Sequence, residues 1–236
     1  MARTGPGCDG GYDSMDARLG QARQLYEQAV YGGDDGLLAD ADRGLDGVEA
    51  DLALARGRLI HTRFLLRREA DPESAAEADP DELPLFERAA QLYQRLGDTA
   101  GAGEAQFWIG CFHQVVRRDN AAALHFLERS LDLATQAGDK ATMSEALRHL
   151  GIEAHFGGRP EVARERLEES ARLRREIGQL PGVASNLIGL AYIAAAQGRT
   201  DDAAALLDEC SAIAGETGAQ RILRTAGQAR AELGLG

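Results

Sequence analysis

The chain has 236 residues, of which 44% are apolar and 5% aromatic, and its formal net charge at pH 7 is -12. Nucleic-acid binding depends on clustered Lys and Arg that neutralise phosphates, so a chain this acidic is not expected to bind nucleic acid. The longest apolar run, 187–196, is too short for a transmembrane helix, and the Gly-rich N-terminus lacks the apolar segment of a signal peptide. We therefore expect a soluble, cytoplasmic protein with no membrane partner.

The N-terminal third is predicted to be helical after a disordered tail at residues 1–13. Helical spacing begins at Ser14, the predicted N-cap, and ends at Gly32-Gly33. A short, weak helix is predicted from Asp35 to Gly47, because glycines interrupt it. A stronger helix follows at 48–69, with these apolar residues predicted on one side: Leu52, Leu59, Ile60, Phe64 and Leu65.

An acidic loop is predicted at 70–82, because two Asp-Pro steps disfavour helix and no apolar residue there is larger than Ala. The next helix runs to Gly97, and its Phe86 and Leu92 match positions that recur later in the chain. Residues 14–96 are therefore predicted to be degenerate helical repeats of the same array as the rest.

Residues 97–217 contain one pattern three times. Boundary glycines stand at Gly97, Gly138, Gly178 and Gly218, so the period is 41, then 40, then 40. A period of this length is typical of stacked supersecondary units. Each unit is predicted to be two helices, with the extra residue of the first unit in its central turn. Residues 218–236 are predicted to be a capping helix.

Recurring small and aliphatic residues define the predicted packing surface of these units. They repeat at helical spacing of three and four, which indicates one buried stripe in each second helix. The columns are Ala123/Ala163/Ala203, Leu127/Leu167/Leu207, Ser130/Ser170/Cys210 and Leu133/Leu173/Ile213. A small residue in each first helix, Gly110, Gly151 or Ala191, is expected to allow close approach of the two helices.

The second unit in particular resembles the tetratricopeptide repeat (TPR), through Leu150-Gly151, Gly158, Ala163 and Leu167. The period of about 40 is similar to the longer variety found in bacterial regulators and kinesin light chains, since the usual repeat has about 34 residues. The resemblance implies an all-α solenoid of stacked antiparallel helix pairs, a right-handed superhelix of about eleven helices. It also implies a concave groove lined by the first helix of each pair.

The residues predicted to line this groove and bind a ligand are those that the resemblance places on the inner helices. They are Glu104, Phe107, Trp108, Cys111, Gln114, Glu145, Arg148, His149, Ile152, His155 and Tyr192. Further groove positions are Val115, Phe156, Ser185, Ile188, Gly189, Ala195 and Ala196. The cations of a carboxylate clamp are missing from these positions, so binding of a peptide C-terminus is not expected.

The aromatic and titratable groove residues leave alternatives open. Phe107 and Trp108 either pack between units or anchor an apolar partner. Cys111 and His113 are two apart on a helix and point to different faces, so no metal site and no cofactor are predicted. Acid–base work by His149 or His155 with a nearby Glu is an alternative, although no catalytic spacing is legible.

The predicted function is non-catalytic binding of a protein or peptide segment in the concave groove, as a regulatory or assembly adaptor. The alternative is a protein or biosynthetic enzyme that binds an apolar or aromatic small molecule in a pocket closed by the N-terminal helices and the 70–82 loop. A third hypothesis is a homodimer formed through the exposed end of the stack.

Overall fold

The computed structural model describes residues 16–71 and 77–235, which form ten α-helices and one π-helical segment without a β-strand. The helices are α1 (Ala17–Gly32), α2 (Gly36–Ala70), α3 (Glu82–Leu96), α4 (Thr99–Cys111), the π-helix Phe112–Val116, α5 (Asn120–Ala137), α6 (Lys140–Phe156), α7 (Pro160–Glu176), α8 (Leu180–Ala196), α9 (Thr200–Glu216) and α10 (Gln220–Glu232). The predicted tail at 1–13, the predicted cap Ser14 and residues 72–76 of the predicted loop lie outside the described residues. Within those limits, no helix is both long and apolar enough to cross a membrane.

Helices that follow one another in the chain pack against each other. In the repeat region α4 pairs with α5, α6 with α7 and α8 with α9, while α5 packs on α6 and α7 on α8. The connecting turns are so short that consecutive helices must run antiparallel. The inner helices α4, α6 and α8 also contact one another in sequence. The predicted all-α solenoid of stacked helix pairs is therefore confirmed.

The boundary Gly-Asp pairs end one helix and start the next. Gly97 and Gly138 have left-handed backbones, with φ of 71° and 69°, which glycine adopts without a Cβ clash. Asp98 and Asp139 follow as N-caps, and Asp98 accepts a hydrogen bond of 2.9 Å from the Gly101 amide. The Gly-Asp pair therefore ends one helix and starts the next helix in a new direction at these two boundaries.

The recurring columns form the buried seam of each pair. Leu127, Leu167 and Leu207 are at most 2% exposed. A Cβ built on Gly110 would lie 2.7 Å from Leu127 Cδ2, so only a residue without a side chain fits there at this helix separation. Close packing of α4 on α5 thus requires the small residue at Gly110, as the sequence predicted.

The structure contradicts the predicted break near Gly44 and Gly47, because residues 36–70 form one continuous helix of 35 residues. A glycine within a helix costs only about 1 kcal/mol, and packing against α1 and α3 along this length outweighs that cost. The merged helix accounts for finding ten α-helices over the described ranges where about eleven were predicted. Leu52 and Leu59 are also exposed, so they do not share the buried side that contains Phe64.

The extra residue of the first unit lies in the π-helix, and the prediction that it sits in the central turn is wrong. Arg118, Gly158 and Gly198 occupy the same turn position, with φ of 56°, 71° and 76°, and are spaced by 40 residues. Gly110 and Gly151, before the turn, are still 41 apart. One residue is therefore inserted between Gly110 and the turn, and the wider π-helical winding accommodates it.

The C-terminal half of α2 contacts the inner side of the later helices. Arg58 forms an ion pair with Glu104 on α4, and Arg68 Nη1 donates to the Val115 carbonyl at 3.1 Å. Glu69, at the end of α2, pairs with Arg221 and Arg224 on α10, at 3.1 and 3.3 Å. The long helix therefore links the first full unit to the C-terminal helix across the face where a ligand groove was predicted.

Candidate functional site

The predicted groove residues are divided between two clefts. The first cleft has a volume of about 390 Å³ and lies between α2, α4, the π-helix and α6. It is lined by His61, Leu65, Glu104, Phe107, Trp108, Cys111, Val115, Ala141, Thr142, Glu145, His149 and Gln179. Six of the eleven predicted binding residues meet here, together with two residues of α2 that the sequence did not assign to the site.

The second cleft has a volume of about 420 Å³ and shares no lining residue with the first. Its walls are Gly151, Ile152, His155, Phe156, Leu167, Gly189, Tyr192 and Ile193, from α6, α7 and α8. Most of this lining is apolar, and Phe156 is 75% exposed. Three more predicted residues, Ile152, His155 and Tyr192, therefore lie together one inner helix further along the array.

Trp108 stands at the centre of an aromatic cluster beside the first cleft. Its ring stacks on Phe86 at 5.6 Å and meets His61 and Phe107 edge-on at 5.5 and 5.2 Å. The Arg58 guanidinium lies 5.6 Å from the indole centroid, and burial lowers the pKa of Arg58. Trp108 therefore packs between helices and also presents part of its ring to the cleft, while its role as an anchor for a partner stays a prediction.

Cys111 and His149 are adjacent in the first cleft, where a thiol–imidazole pair would be the natural nucleophile and base. Cys111 Sγ lies 3.6 Å from His149 Nε2. Burial, with Glu145 nearby, raises the pKa of the Cys111 thiol well above its ordinary value. Burial, with Arg148 and Arg174 nearby, lowers the pKa of His149 to about 3. Both groups are therefore neutral at pH 7, and a neutral thiol is a poor nucleophile.

Gln114 fixes the orientation of His149. Gln114 Oε1 lies 2.6 Å from His149 Nδ1, and Gln114 Nε2 donates to the His149 carbonyl at 3.1 Å. An amide oxygen only accepts, so Nδ1 carries the proton and Nε2 is the free acceptor next to Cys111. Gln114 is a member of the π-helix, whose extra residue sets where this side chain lies. A π-helical turn at such a position is a frequent feature of functional sites.

Arg148 lies outside both clefts and is directed toward α8. Its Nη1 donates to the Ser185 carbonyl at 3.4 Å and to Asn186 Oδ1 at 3.2 Å. Burial, with Arg174 nearby, lowers the pKa of Arg148 to about 10. The sequence placed this cation in the groove, whereas its contacts in the structure belong to the packing of α6 on α8.

Arg148 is part of a buried polar network between α6, α7 and α8. Arg174, only 3% exposed in its side chain, pairs with Glu145 at 2.6 Å and donates to the Gly182 carbonyl at 2.8 Å. Asn186 donates to Ser170 Oγ at 2.8 Å, and Ser170 donates to the Ser144 carbonyl at 2.6 Å. This network occupies the interior between the second and third units. In the sequence, the recurring column Ser130/Ser170/Cys210 indicates this network, although the sequence analysis assigned that column to apolar packing alone.

His61 and Glu82 form a second polar pair that sequence analysis missed, since His61 was taken as an ordinary helix residue. His61 Nδ1 lies 2.7 Å from Glu82 Oε1, and Glu82 is fully buried. The second carboxylate oxygen of Glu82 is also buried and has no hydrogen-bond partner within the described part of the chain. No signal in the sequence identifies this pair, because its members are 21 residues apart on different helices.

The remaining titratable groove residues are held by specific partners. The Glu104 carboxylate pairs with Arg58, and the Tyr192 hydroxyl donates to Glu232 on α10. Burial, with that hydrogen bond, raises the pKa of Tyr192 to about 12. Over residues 16–71 and 77–235, no group of three or more His, Cys, Asp or Glu side chains is arranged to hold a metal ion.

No protein-family model and no curated protein matches this chain. A solved structure similar to it contains the nearly identical TPR-like repeats of a kinesin light chain from Podosopora anserina. The alignment has 18% identical residues and a TM-score of 0.48, and it covers 75% of this chain and 88% of that chain. The likeness concerns the repeat architecture alone.

Proposed function

We propose that the chain is a cytoplasmic adaptor that binds a segment of a partner protein along the inner helices α4, α6 and α8. The observation that supports this proposal most is the pair of clefts on consecutive inner helices, each lined mainly by positions that do not repeat between units; only Gly151 and Leu167 of the second cleft belong to the recurring columns. Repeating positions are occupied by the buried seam. Variable positions are thus free to select a ligand, and in a repeat scaffold the inner face is the extended surface for that role.

The spacing of the clefts defines the ligand that suits them. Neighbouring packed helices are about 8–10 Å apart, and an extended peptide advances about 3.3 Å per residue. Apolar anchors about three residues apart in an extended segment would therefore reach both clefts. The exposed ring of Phe156 and the apolar walls of the second cleft favour an aliphatic or aromatic anchor there.

Charge adds a second criterion for the partner. The chain carries a net charge of -12, so an acidic segment would be repelled at long range. The carboxylates of the first cleft, Glu104 and Glu145, are already paired with Arg58 and Arg174. We therefore expect a neutral or basic segment whose affinity derives mainly from its apolar anchors.

A fluorescence titration tests this proposal, because Trp108 is the only tryptophan in the chain and lines the first cleft. A displayed peptide library would supply binders, and each binder would be titrated while Trp108 emission is recorded. We expect Phe156→Ala to weaken binding at least tenfold without loss of helicity. The matched control is Val162→Ala, at an exposed apolar position on α7 outside both clefts. Equal affinity in both variants would refute the proposal.

A small-molecule ligand in the first cleft is the second candidate. It is favoured by the position of α2, whose His61 and Leu65 lie over α4 and form one wall of the cleft. A volume of about 390 Å³ is within the range of small-molecule sites. A thermal-shift screen of aromatic compounds distinguishes the two candidates. A hit that His61→Ala abolishes and Phe156→Ala leaves unchanged would favour the small molecule.

A further inference from the structure

Helix α2 carries a row of leucines that the described chain leaves about half exposed. The leucines are seven residues apart and between 41% and 57% exposed: Leu38, Leu45, Leu52, Leu59 and Leu66. Most buried residues of α2, among them Leu54, His61 and Phe64, lie on the opposite side of the helix, whereas Ala41 is buried between the first two leucines. The leucine face, as these five residues are called below, therefore remains about half exposed after α2 has packed on α1 and α3.

The spacing of the leucine face is that of a coiled-coil seam. A strict seven-residue repeat over four heptads keeps one stripe in contact with a second helix when the two supercoil. Three residues after each of the first four leucines stand small or β-branched residues. Ala41 is buried and Val48 half-buried, whereas Ala55 and Thr62 are exposed, so a facing helix can approach closely along the second half of the face. The exposed leucines keep this spacing over about 42 Å of helix, at 1.5 Å per residue. Such a row predicts a helical partner.

The charges beside the leucine face are separated along the helix. Four residues after successive leucines stand Asp42, Glu49, Arg56 and Arg63, acidic in the first half and basic in the second. In the described part of the chain, Asp42, Arg56 and Arg63 form no ion pair, while Glu49 pairs with Arg88 at 2.7 Å. Three of the four flanking charges are thus free to meet another surface.

This charge order is complementary to itself when one copy is reversed. Positions 42 and 63, and positions 49 and 56, are both symmetric about the midpoint between residues 52 and 53. An antiparallel pair of α2 helices centred there brings Asp42 opposite Arg63 and Glu49 opposite Arg56, twice each by symmetry. The leucines are symmetric about Leu52 itself, half a residue from that midpoint, so the same arrangement brings Leu45 to within one residue of Leu59 and Leu38 to within one residue of Leu66. A parallel pair would instead place like charges together.

We propose that the leucine face is a homodimer interface in which α2 packs antiparallel against α2 of a second copy. A groove of about 540 Å³, lined by Arg56, Leu59, Ile60, Arg63, Asp81, Pro84 and Leu85, runs beside the second half of the face. In the antiparallel arrangement this groove receives Leu45 and its neighbours from the second copy. The interface differs from the end of the stack, where the sequence suggested self-association, and it is independent of the inner clefts.

The size of the face sets the strength of the dimer. About 42 Å of a helix about 10 Å wide gives on the order of 400 Å² per copy. A total of about 800 Å² is at the small end of protein interfaces, so the dimer is expected to dissociate in the micromolar range.

Sedimentation of the full chain over a concentration series tests the proposal. We expect a reversible monomer–dimer equilibrium whose dissociation constant rises at least tenfold in Leu52→Glu. Val162→Glu, a matched change at an exposed apolar position on α7, should alter it less than about twofold. Circular dichroism would establish that both variants remain helical. A chain that stays monomeric at several hundred micromolar, or a dimer that Leu52→Glu does not weaken, would overturn the proposal.

Charge exchange tests the antiparallel register. Asp42→Arg and Arg63→Asp are each expected to weaken the dimer several-fold, and their combination should restore it, because the pair is rebuilt with reversed signs. A Cys8→Ser background allows cross-linking with a short bis-maleimide, since Cys111 and Cys210 are buried. Leu38→Cys mixed with Leu66→Cys should cross-link, and Leu38→Cys alone should not. The reverse cross-linking result, or no recovery in the double variant, would reject the antiparallel arrangement.

Discussion

Gln114 contacts His149 twice, once at the imidazole Nδ1 at 2.6 Å and once at the backbone carbonyl at 3.1 Å. The side-chain contact requires a proton on Nδ1, and the burial of the ring opposes a second proton on Nε2. His149 is therefore held as one neutral tautomer in the wall of the first cleft. This is a defined hydrogen-bonding surface for a ligand, and it depends on the π-helix that places Gln114.

The first prediction concerns pH. His149 has a folded-state pKa of about 3 and an unfolded value of about 6.5, so below pH 6.5 the unfolded chain binds a proton that the folded chain excludes. The stability that this residue contributes is complete above pH 6.5 and is lost as the pH falls toward about 3. The loss is up to about 1.4 kcal/mol per pH unit. NMR titration of the ring resonances measures the pKa directly.

Urea unfolding of His149→Gln supplies the control for that prediction. The difference in unfolding free energy between wild type and variant should depend on pH between about 4 and 6.5. His125→Gln, at an exposed position on α5, is the matched change outside the site. Protonation of His149 near neutral pH in the folded protein would contradict the prediction.

The second prediction uses two glycines of α2. A Cβ on Gly57 would lie 2.4 Å from Cε1 of the fully buried Phe86, whereas a Cβ on Gly44 meets nothing within 4 Å. Gly57→Ala should therefore destabilise the protein by about 1–3 kcal/mol through overpacking. Gly44→Ala should stabilise it by about 0.5–1 kcal/mol, because alanine favours the helix. Thermal and urea unfolding would measure both, and equal effects of the two changes would show that α2 does not pack on Phe86 as described.

Local patterns predicted most of the fold, and contacts between distant helices decided the rest. The boundary glycines and the buried Leu columns follow from spacing within a unit, so the sequence predicted them. The continuity of α2 through Gly44 and Gly47 depends on packing by α1 and α3, which no local propensity records. For the same reason the sequence predicted which inner residues vary but not that Arg148 would donate a hydrogen bond to Asn186. Nor did it place His61 against Trp108.

The third prediction tests whether Glu145 stabilises the fold through its ion pair with Arg174. Arg174 is almost fully buried and Glu145 is its ion-pair partner, so Glu145→Gln leaves a buried cation without a countercharge. We expect a loss of about 2 kcal/mol in unfolding free energy, reduced from the value for a fully buried pair because Glu145 is partly exposed. Glu161→Gln, which alters an exposed pair with Arg164 on α7, should cost less than about 0.5 kcal/mol. Urea unfolding of both variants measures the two losses. Equal losses would indicate that the Glu145–Arg174 ion pair contributes no more to stability than an exposed pair.

The fourth prediction concerns the turn after the π-helix. Arg118 has φ of 56°, in the left-handed region, at the position where the other two units have Gly158 and Gly198. A non-glycine residue pays about 1 kcal/mol for this backbone conformation. Arg118→Gly should therefore stabilise the protein, by about 0.5–1 kcal/mol after the added entropy of the unfolded chain is deducted.

The reciprocal change checks that the gain comes from the backbone. Gly158→Ala introduces the same conflict in the second unit, and we expect it to cost about 1 kcal/mol. The turn also follows the helix that carries Gln114, so relief of strain there should leave the His149 ring resonances unchanged if the π-helix is held by its own packing. Destabilisation by Arg118→Gly would mean that the turn of the first unit has a different backbone from the turns of the other two. A shift of the His149 resonances would instead show that the strained turn is what keeps Gln114 in place.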